Sequence, residues 1–383
     1  MRVVIVIDSF KGCVSSLEAS KAISDGVTAV FPNADIDVVP LADGGEGTVE
    51  AFIHAVGGQL ISTEVTGPLG EKTIGTYGIL EDGRTAVIEI AAACGLPLVP
   101  LKKRNPLLTT SYGVGELIIH AIENGCRDFI IGLGGSATND AGVGMLQALG
   151  FNFFTRENKR IGLGGKELRN IAKVDFTHVL PGLKQCTFRV ACDVTNPLYG
   201  NNGAAYVFAP QKGANEHMVK ELDEGLKNFA NVTRRELQIE IQHIKGAGAA
   251  GGLGAAFLGY LNGVLAPGTD ILFKMVLLEE KIKKADMIIT GEGKIDGQTS
   301  MGKAPLGVAK LAKKYEKPVI ALAGSISRDE ASWLHEVGMT SYFSILNKPM
   351  SLDEAMKPHI TLQNLTHHTE QLFRLLKTTR NCN

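Results

Sequence analysis

Six short runs along the chain are apolar at nearly every position: residues 3–7, 36–39, 129–131, 287–289, 319–323 and 342–345. A strand covered on both faces has no polar face to alternate with, so it reads this way. Several of these runs lead through a turn into a helical pattern. Residues 16–30 set Leu17, Ile23 and Val27 on one stripe, and residues 142–149 and 306–315 follow the third and fourth runs in the same manner. Strand alternating with helix predicts an α/β fold on a doubly wound, mostly parallel, Rossmann-like sheet.

Two stretches break this rhythm. Residues 62–90 alternate apolar and polar around Gly67-Pro68 and Asp82-Gly83, the pattern of antiparallel hairpins. Residues 151–280 mix a strand at 187–190, loops, a charged helix at 215–236 and a glycine-rich apolar stretch at 249–265. At 383 residues the chain exceeds one ordinary core. The expectation is two lobes: a Rossmann-like α/β lobe from residues 1–60, 106–150 and 284–383, and a second, mixed α/β lobe from 61–105 and 151–283 inserted into it. A cleft between such lobes is where a ligand is expected.

Composition narrows the function classes. Lys and Arg number 39 against 40 Asp and Glu, so there is no basic footprint for nucleic acid or an anionic membrane. The 249–265 stretch is slightly short for a membrane span and is interrupted by glycines and Asn262. The N-terminus runs straight into a strand, without the features of a secretory signal. Six scattered cysteines, with no pair at metal-ligand spacing, fit reduced thiols in a cytoplasmic protein. Monomer and homodimer both remain open.

The 45 glycines call for a local reason, and they gather where buried strands end. After the first strand come Asp8, Ser9, Phe10, Lys11 and Gly12; Lys11 is a mobile cation able to meet a phosphate or carboxylate. After the second come Asp43, Gly44, Gly45, Glu46 and Gly47, two acids able to hold magnesium through few carboxylates and several waters. Residues 132–140 read GLGGSATND. There Gly134 and Gly135 let backbone N–H groups approach an anion, and Ser136, Thr138 and Asn139 add donors. Asp193 and Asn196 follow the 187–190 strand, where an acid could accept a proton or bind metal. Gly291, Glu292, Gly293, Lys294 and Asp296 follow the fourth run, with Gln298, Thr299, Gly302 and Lys303 beyond. Residues 246–254 (GAGAAGGLG) read more readily as close packing. Helix caps and tight turns are the plain alternative for each segment taken alone. Neither GxGxxG nor GxxxxGK[ST] occurs in the phosphate-like loop, which disfavours a dinucleotide-dependent dehydrogenase.

Taken in order, these segments resemble the type 1 glycerate kinase family. The matching stretches are residues 8–12 with Glu18 and Ala19, 42–48, 110–117 (TSYGVGEL), 132–140, 191–198, 211–214, 246–254 and 291–303, nearly the whole chain; the last twenty or so residues carry no recognisable motif. The resemblance implies a two-lobed α/β fold and ATP-dependent phosphorylation of glycerate, with 2-phosphoglycerate as the product. Phosphoryl transfer needs mainly positioning and charge neutralisation. On residue type and strand-end position, Gly134, Gly135, Ser136, Thr138 and Asn139, together with Gly291, Glu292, Gly293 and Lys294, are expected to hold ATP. Asp193 is the expected base, with Lys11 assisting. Asp8, Ser9, Lys11, Asp43 and Asn196 are the substrate-binding candidates. Asp43, Glu46 and Asp296 are the Mg2+ candidates. A kinase for another small hydroxy or sugar acid, or a non-catalytic sugar-acid-binding protein, are the rival readings.

Overall fold

In chain order the strands of the computed structural model are β1 (Arg2–Ile7), β2 (Asp35–Val38), β3 (Gly58–Thr66), β4 (Lys72–Leu80), β5 (Thr85–Glu89), β6 (Asp128–Gly132), β7 (Asn152–Phe154), β8 (Lys173–Asp175), β9 (Thr187–Ala191), β10 (Val264–Ala266), β11 (Met287–Ile295), β12 (Val319–Ile326) and β13 (Ser341–Ser344). The structure describes residues 1–41, 45, 47–297, 304–327 and 332–380, with backbone alone at 332, 379 and 380. Two units form. The first comprises Met1–Ala42, His54–Val56 and Leu272–Asn383, and the second Asp43–Ile53 and Gly57–Ile271.

The first unit is built on a five-stranded, wholly parallel sheet in the order β13-β12-β11-β1-β2. Numbered by appearance within the unit, this is the doubly wound order 2-1-3-4-5. Residues 3–7 of β1 are completely buried, as a central strand covered on both faces requires. The helix Ser16–Val30 starts on a capping box, with Glu18 N donating to Ser15 Oγ and Ser15 N donating to Glu18 Oε2. It packs against the C-terminal helix Pro358–Arg380 so closely that a Cβ on Gly26 would lie 2.6 Å from Thr366 O. Phe31 meets Phe373 edge to face across the same seam, at 6.1 Å. The motif-poor end of the chain therefore covers one face of the sheet's own helix layer.

The second unit carries a six-stranded mixed sheet, β10-β9-β6-β5-β4-β3. β3 and β4 form the antiparallel hairpin foreseen around Gly67-Pro68, and β4 turns into β5 at Asp82-Gly83. β5, β6, β9 and β10 run parallel. A two-stranded antiparallel pair, β7 and β8, stands apart from this sheet. The glycine-rich apolar stretch becomes the helical segment Ala249–Tyr260 followed by β10. Among the described residues no helix is long and apolar enough to cross a membrane.

The lobe boundaries differ from the sequence grouping. Residues 106–150 belong to the second unit, because β6 pairs with β5 and β9 rather than with β1 or β11. Residues 43–53 and 57–60 join the second unit as well, and residues 272–283 join the first. A strand buried on both faces has the same local pattern in either parallel sheet, so sheet membership is a non-local property that periodicity does not carry.

Candidate active site

In the second unit, parallel pairing aligns the strand ends. Glu89 of β5 pairs with Gly132 of β6, Gly132 with Ala191 of β9, and Ala191 with Ala266 of β10. The segments leaving those four residues share one end of one sheet, the carboxyl end, where α/β proteins bind ligands. Residues 133–139 and 192–198 are brought together there. The helix Thr48–Val56 starts at the same end, since Val49 N donates to Glu89 Oε1 at 2.9 Å. Asp43 and Glu46, just before that helix, lie outside the described residues.

The loop after β6 is held from several sides. Leu96 N donates to Gly135 O, Ala137 N to Cys94 O, and Thr109 Oγ1 to Ala137 O. Gly134 and Gly135 keep partial or full exposure, whereas Ser136, Thr138 and Asn139 are buried. Solvent thus meets the backbone of 134–135 first, while Ser136 keeps 8% of its surface and Thr138 and Asn139 keep none. The Asn139 amide has no partner at either end among the described residues. Such a group costs free energy and calls for an explanation.

Asp140, at the end of this loop, is fully buried. Its Oδ2 accepts from Ser111 N at 2.8 Å and Ser111 Oγ at 2.9 Å, and its Oδ1 accepts from Gly142 N at 3.2 Å. Burial pushes its carboxyl above the ordinary range, while these donors pull it back. Ser111 Oγ in turn accepts from Met145 N. The TSYG stretch therefore fastens the helix Tyr112–Glu123 to the helix Val143–Ala148, and with it the far end of the loop.

Lys212 is the residue that sequence reasoning missed. It is 3% exposed, and its Nζ donates to Ser136 Oγ at 2.8 Å and to Thr138 O at 2.7 Å. It ends the one-turn 3-10 helix Pro210–Lys212, opened by proline and closed by Gly213 at φ 97°. The sequence placed it in a family-matching stretch, 211–214, without giving it a role; the further signal was this Pro–Gly bracket around a lysine.

Asp193 and Asn196 follow β9. Asp193 is exposed, and its Oδ1 accepts from Gly268 N at 3.3 Å, which ties the β9 and β10 ends. Asn196 Nδ2 donates to Asn202 O, fixing its own loop. The 246–254 segment backs both loops. Cβ atoms would lie 2.1 Å from Thr138 O at Gly251, 2.2 Å from Pro197 O at Gly248 and 3.0 Å from Cys192 Sγ at Gly246. Close packing is thus what these glycines do.

In the first unit, Ile7 pairs with Gly291, so Asp8, Ser9 and Lys11 emerge beside Glu292 and Lys294. This is the point where the strand order reverses, between β1 and β11, and ligands favour such points. Asp8 Oδ1 accepts from Ser9 N at 2.7 Å, and Asp8 N donates to Gly291 O. Lys11 and Lys294 are exposed, and Glu292 is buried. A Cβ on Gly291 would lie 1.9 Å from Leu322 O, so strand packing alone demands glycine there. Lys294 Nζ pairs with Asp296 at 3.1 Å. Residues 298–303 lie outside the described residues. Among the described residues no three His, Cys, Asp or Glu side chains converge as a metal cage. Asp296, part-buried and paired with a lysine, is a single carboxylate of the kind magnesium takes beside phosphate oxygens and waters.

Residues 3–377 match the model of a family described as the glycerate kinase family. Glycerate 2-kinase of Escherichia coli K12 is 50% identical over 357 residues, 93% of each chain. Glycerate kinase of Haemophilus influenzae is 48% identical over 376 residues, 98% of this chain and 99% of its own. A crystal structure of a candidate glycerate kinase 2 from Salmonella typhimurium LT2 superposes with a TM-score of 0.90 at 43% identity, covering 100% of this chain and 99% of that one.

Proposed function

The chain belongs to the glycerate kinase family, and from that premise we propose how its strand-end residues phosphorylate D-glycerate. The protein is a kinase, a phosphotransferase acting on an alcohol group of a small-molecule substrate. ATP is the donor and 2-phosphoglycerate the product in this reading. The observation that carries it is the register Glu89–Gly132–Ala191, which sets an anion-accepting glycine turn and a solvent-facing carboxylate at one end of one sheet.

The backbone N–H groups around Gly134 and Gly135, with the Ser136 hydroxyl, take the nucleotide phosphates. Charge-assisted bonds of this kind are worth about 1.5–3 kcal/mol each. Thr138 and Asn139 act from inside the fold, shaping the turn. Gly291, Glu292, Gly293 and Lys294 are the second proposed nucleotide element. Asp193 accepts the proton of the substrate hydroxyl while that oxygen bonds to the γ-phosphorus and the bond to ADP breaks. Lys11, Asp8 and Ser9, with Asn196, bind the substrate, and Lys11 supplies the positive charge its carboxylate needs. Asp43, Glu46 and Asp296 would hold Mg2+, which when bound neutralises charge on the phosphates. The five cysteines among the described residues are free thiols, which supports a cytoplasmic setting.

Replacing the base tests this assignment. Asp193→Asn keeps the shape and the Gly268 contact but not the proton acceptor. It is expected to lower kcat at least about a hundredfold with little change in KM for glycerate. Wild-type kcat in that variant removes Asp193 from the role.

A further inference from the structure

We propose that Lys212 is a positioning residue for phosphate binding, setting the glycine-rich loop after β6 from beneath through Ser136 and the Thr138 carbonyl. The proposal rests on the reading of that loop as the nucleotide-phosphate element.

The geometry is specific. An ammonium that donates to the Ser136 oxygen leaves the hydroxyl hydrogen as that group's outward function. Ser136 is thereby oriented as a donor, which is what an anion requires. The second bond holds the Thr138 carbonyl, the same oxygen against which Gly251 packs, so the loop's far end is gripped from two sides. Gly213 makes the approach possible: its φ of 97° turns the chain away after Lys212, and a Cβ there would lie 2.3 Å from Arg104 O.

A purely structural purpose explains this arrangement poorly. Lys212 forms no ion pair among the described residues, and its two partners are a hydroxyl and a carbonyl. Taking a cation out of water for neutral partners is unfavourable, and an apolar side chain of equal volume would fill the space at lower cost. Desolvation brings its pKa down to about 8, against the pull of Cys94 and Asp140, the titratable groups that act on it. A buried positive charge next to the exposed Gly134–Gly135 turn adds to the field that turn presents to a phosphate.

The test is steady-state kinetics in ATP and in glycerate for the full chain, as Lys212→Met, Ser136→Ala and the double variant. Amide exchange of residues 133–139 is followed alongside. The expected result is a KM for ATP raised tenfold or more in Lys212→Met, with KM for glycerate within twofold of wild type. The double variant should be no worse than Lys212→Met alone, and the loop amides should exchange faster while β6 stays protected. Wild-type KM for ATP in Lys212→Met, or single effects that simply add, overturns the proposal. If Ser136→Ala raises KM for ATP and Lys212→Met does not, the proposal falls and the phosphate reading stands. If neither moves it, the phosphate reading falls too. Should Lys212→Met not accumulate as folded protein, Lys212→Gln replaces it: at least a threefold rise in KM for ATP with faster exchange of the loop amides supports the proposal, and wild-type values overturn it.

Discussion

Lys212 and Asp140 are the two charged residues buried at the ends of one short turn, and they are stabilised by opposite means. Asp140 gathers backbone and hydroxyl donors from Ser111 and Gly142, whereas Lys212 has neutral acceptors. The lysine's depressed pKa has a definite sign in stability. Between about pH 8 and the ordinary lysine value the unfolded chain holds the proton that the folded chain has released, so Lys212 makes stability rise with pH across that window. Below it, both states are charged and the burial cost is fully present. The full shift corresponds to about 3 kcal/mol. Unfolding free energies of wild type and Lys212→Met, measured by denaturant at about pH 7.5 and about pH 10, should diverge by about 2 kcal/mol or more in favour of wild type on going to the higher pH. A constant gap contradicts the assignment. Both residues lie in stretches the sequence singled out, 132–140 and 211–214, but the role of neither was legible there. Lys212 stands in a Pro-Gln-Lys-Gly turn that reads as surface, and Ser111, the main partner of Asp140, lies 29 residues earlier. Lys11 and Lys294, which the sequence did single out, are exposed charges whose strand-end positions show in the local pattern.

At the scale of elements, glycine separates into two uses that look alike in the sequence. Some glycines allow close approach: Gly291 against Leu322 O, and Gly248 and Gly251 against the loops after β9 and β6. Others leave backbone open, as Gly134 and Gly135 do. Gly251 combines a φ of 71° with a would-be Cβ contact of 2.1 Å to Thr138 O. Gly251→Ala should therefore displace that carbonyl, raising KM for ATP at least about tenfold and lowering unfolding free energy by about 2 kcal/mol or more. Steady-state kinetics beside a denaturation curve checks both, and a variant with wild-type KM removes the segment's link to the loop. Strand existence was readable from apolar runs, and the hairpin from its two turns. Allegiance of β6 was not, because residues 129–131 are equally apolar for either sheet and only pairing with β5 and β9 decides. Neighbouring Ala250 and facing Ala141 also adopt left-handed backbone, at φ 53° and 51°. Strain in non-glycine residues is stored where the surroundings over-determine it, often at functional sites.

At the scale of the whole chain, two parallel arrays each present candidate groups at their carboxyl ends, and each array has its own buried core. The fold class was visible early because the order of apolar runs, turns and helices extends over most of the sequence. The identity of the substrate was not readable from periodicity; it rests on the ordered set of short motifs and on relatives near half identity along nearly the full length. The central claim is that this chain transfers phosphate from ATP to the 2-hydroxyl of D-glycerate. The most direct measurement incubates the protein with Mg-ATP and D-glycerate and couples the product to enolase, with and without phosphoglycerate mutase. The account predicts a full enolase signal without mutase, since 2-phosphoglycerate is enolase's own substrate. Signal that appears only when mutase is added, or no ADP formed at all, contradicts it.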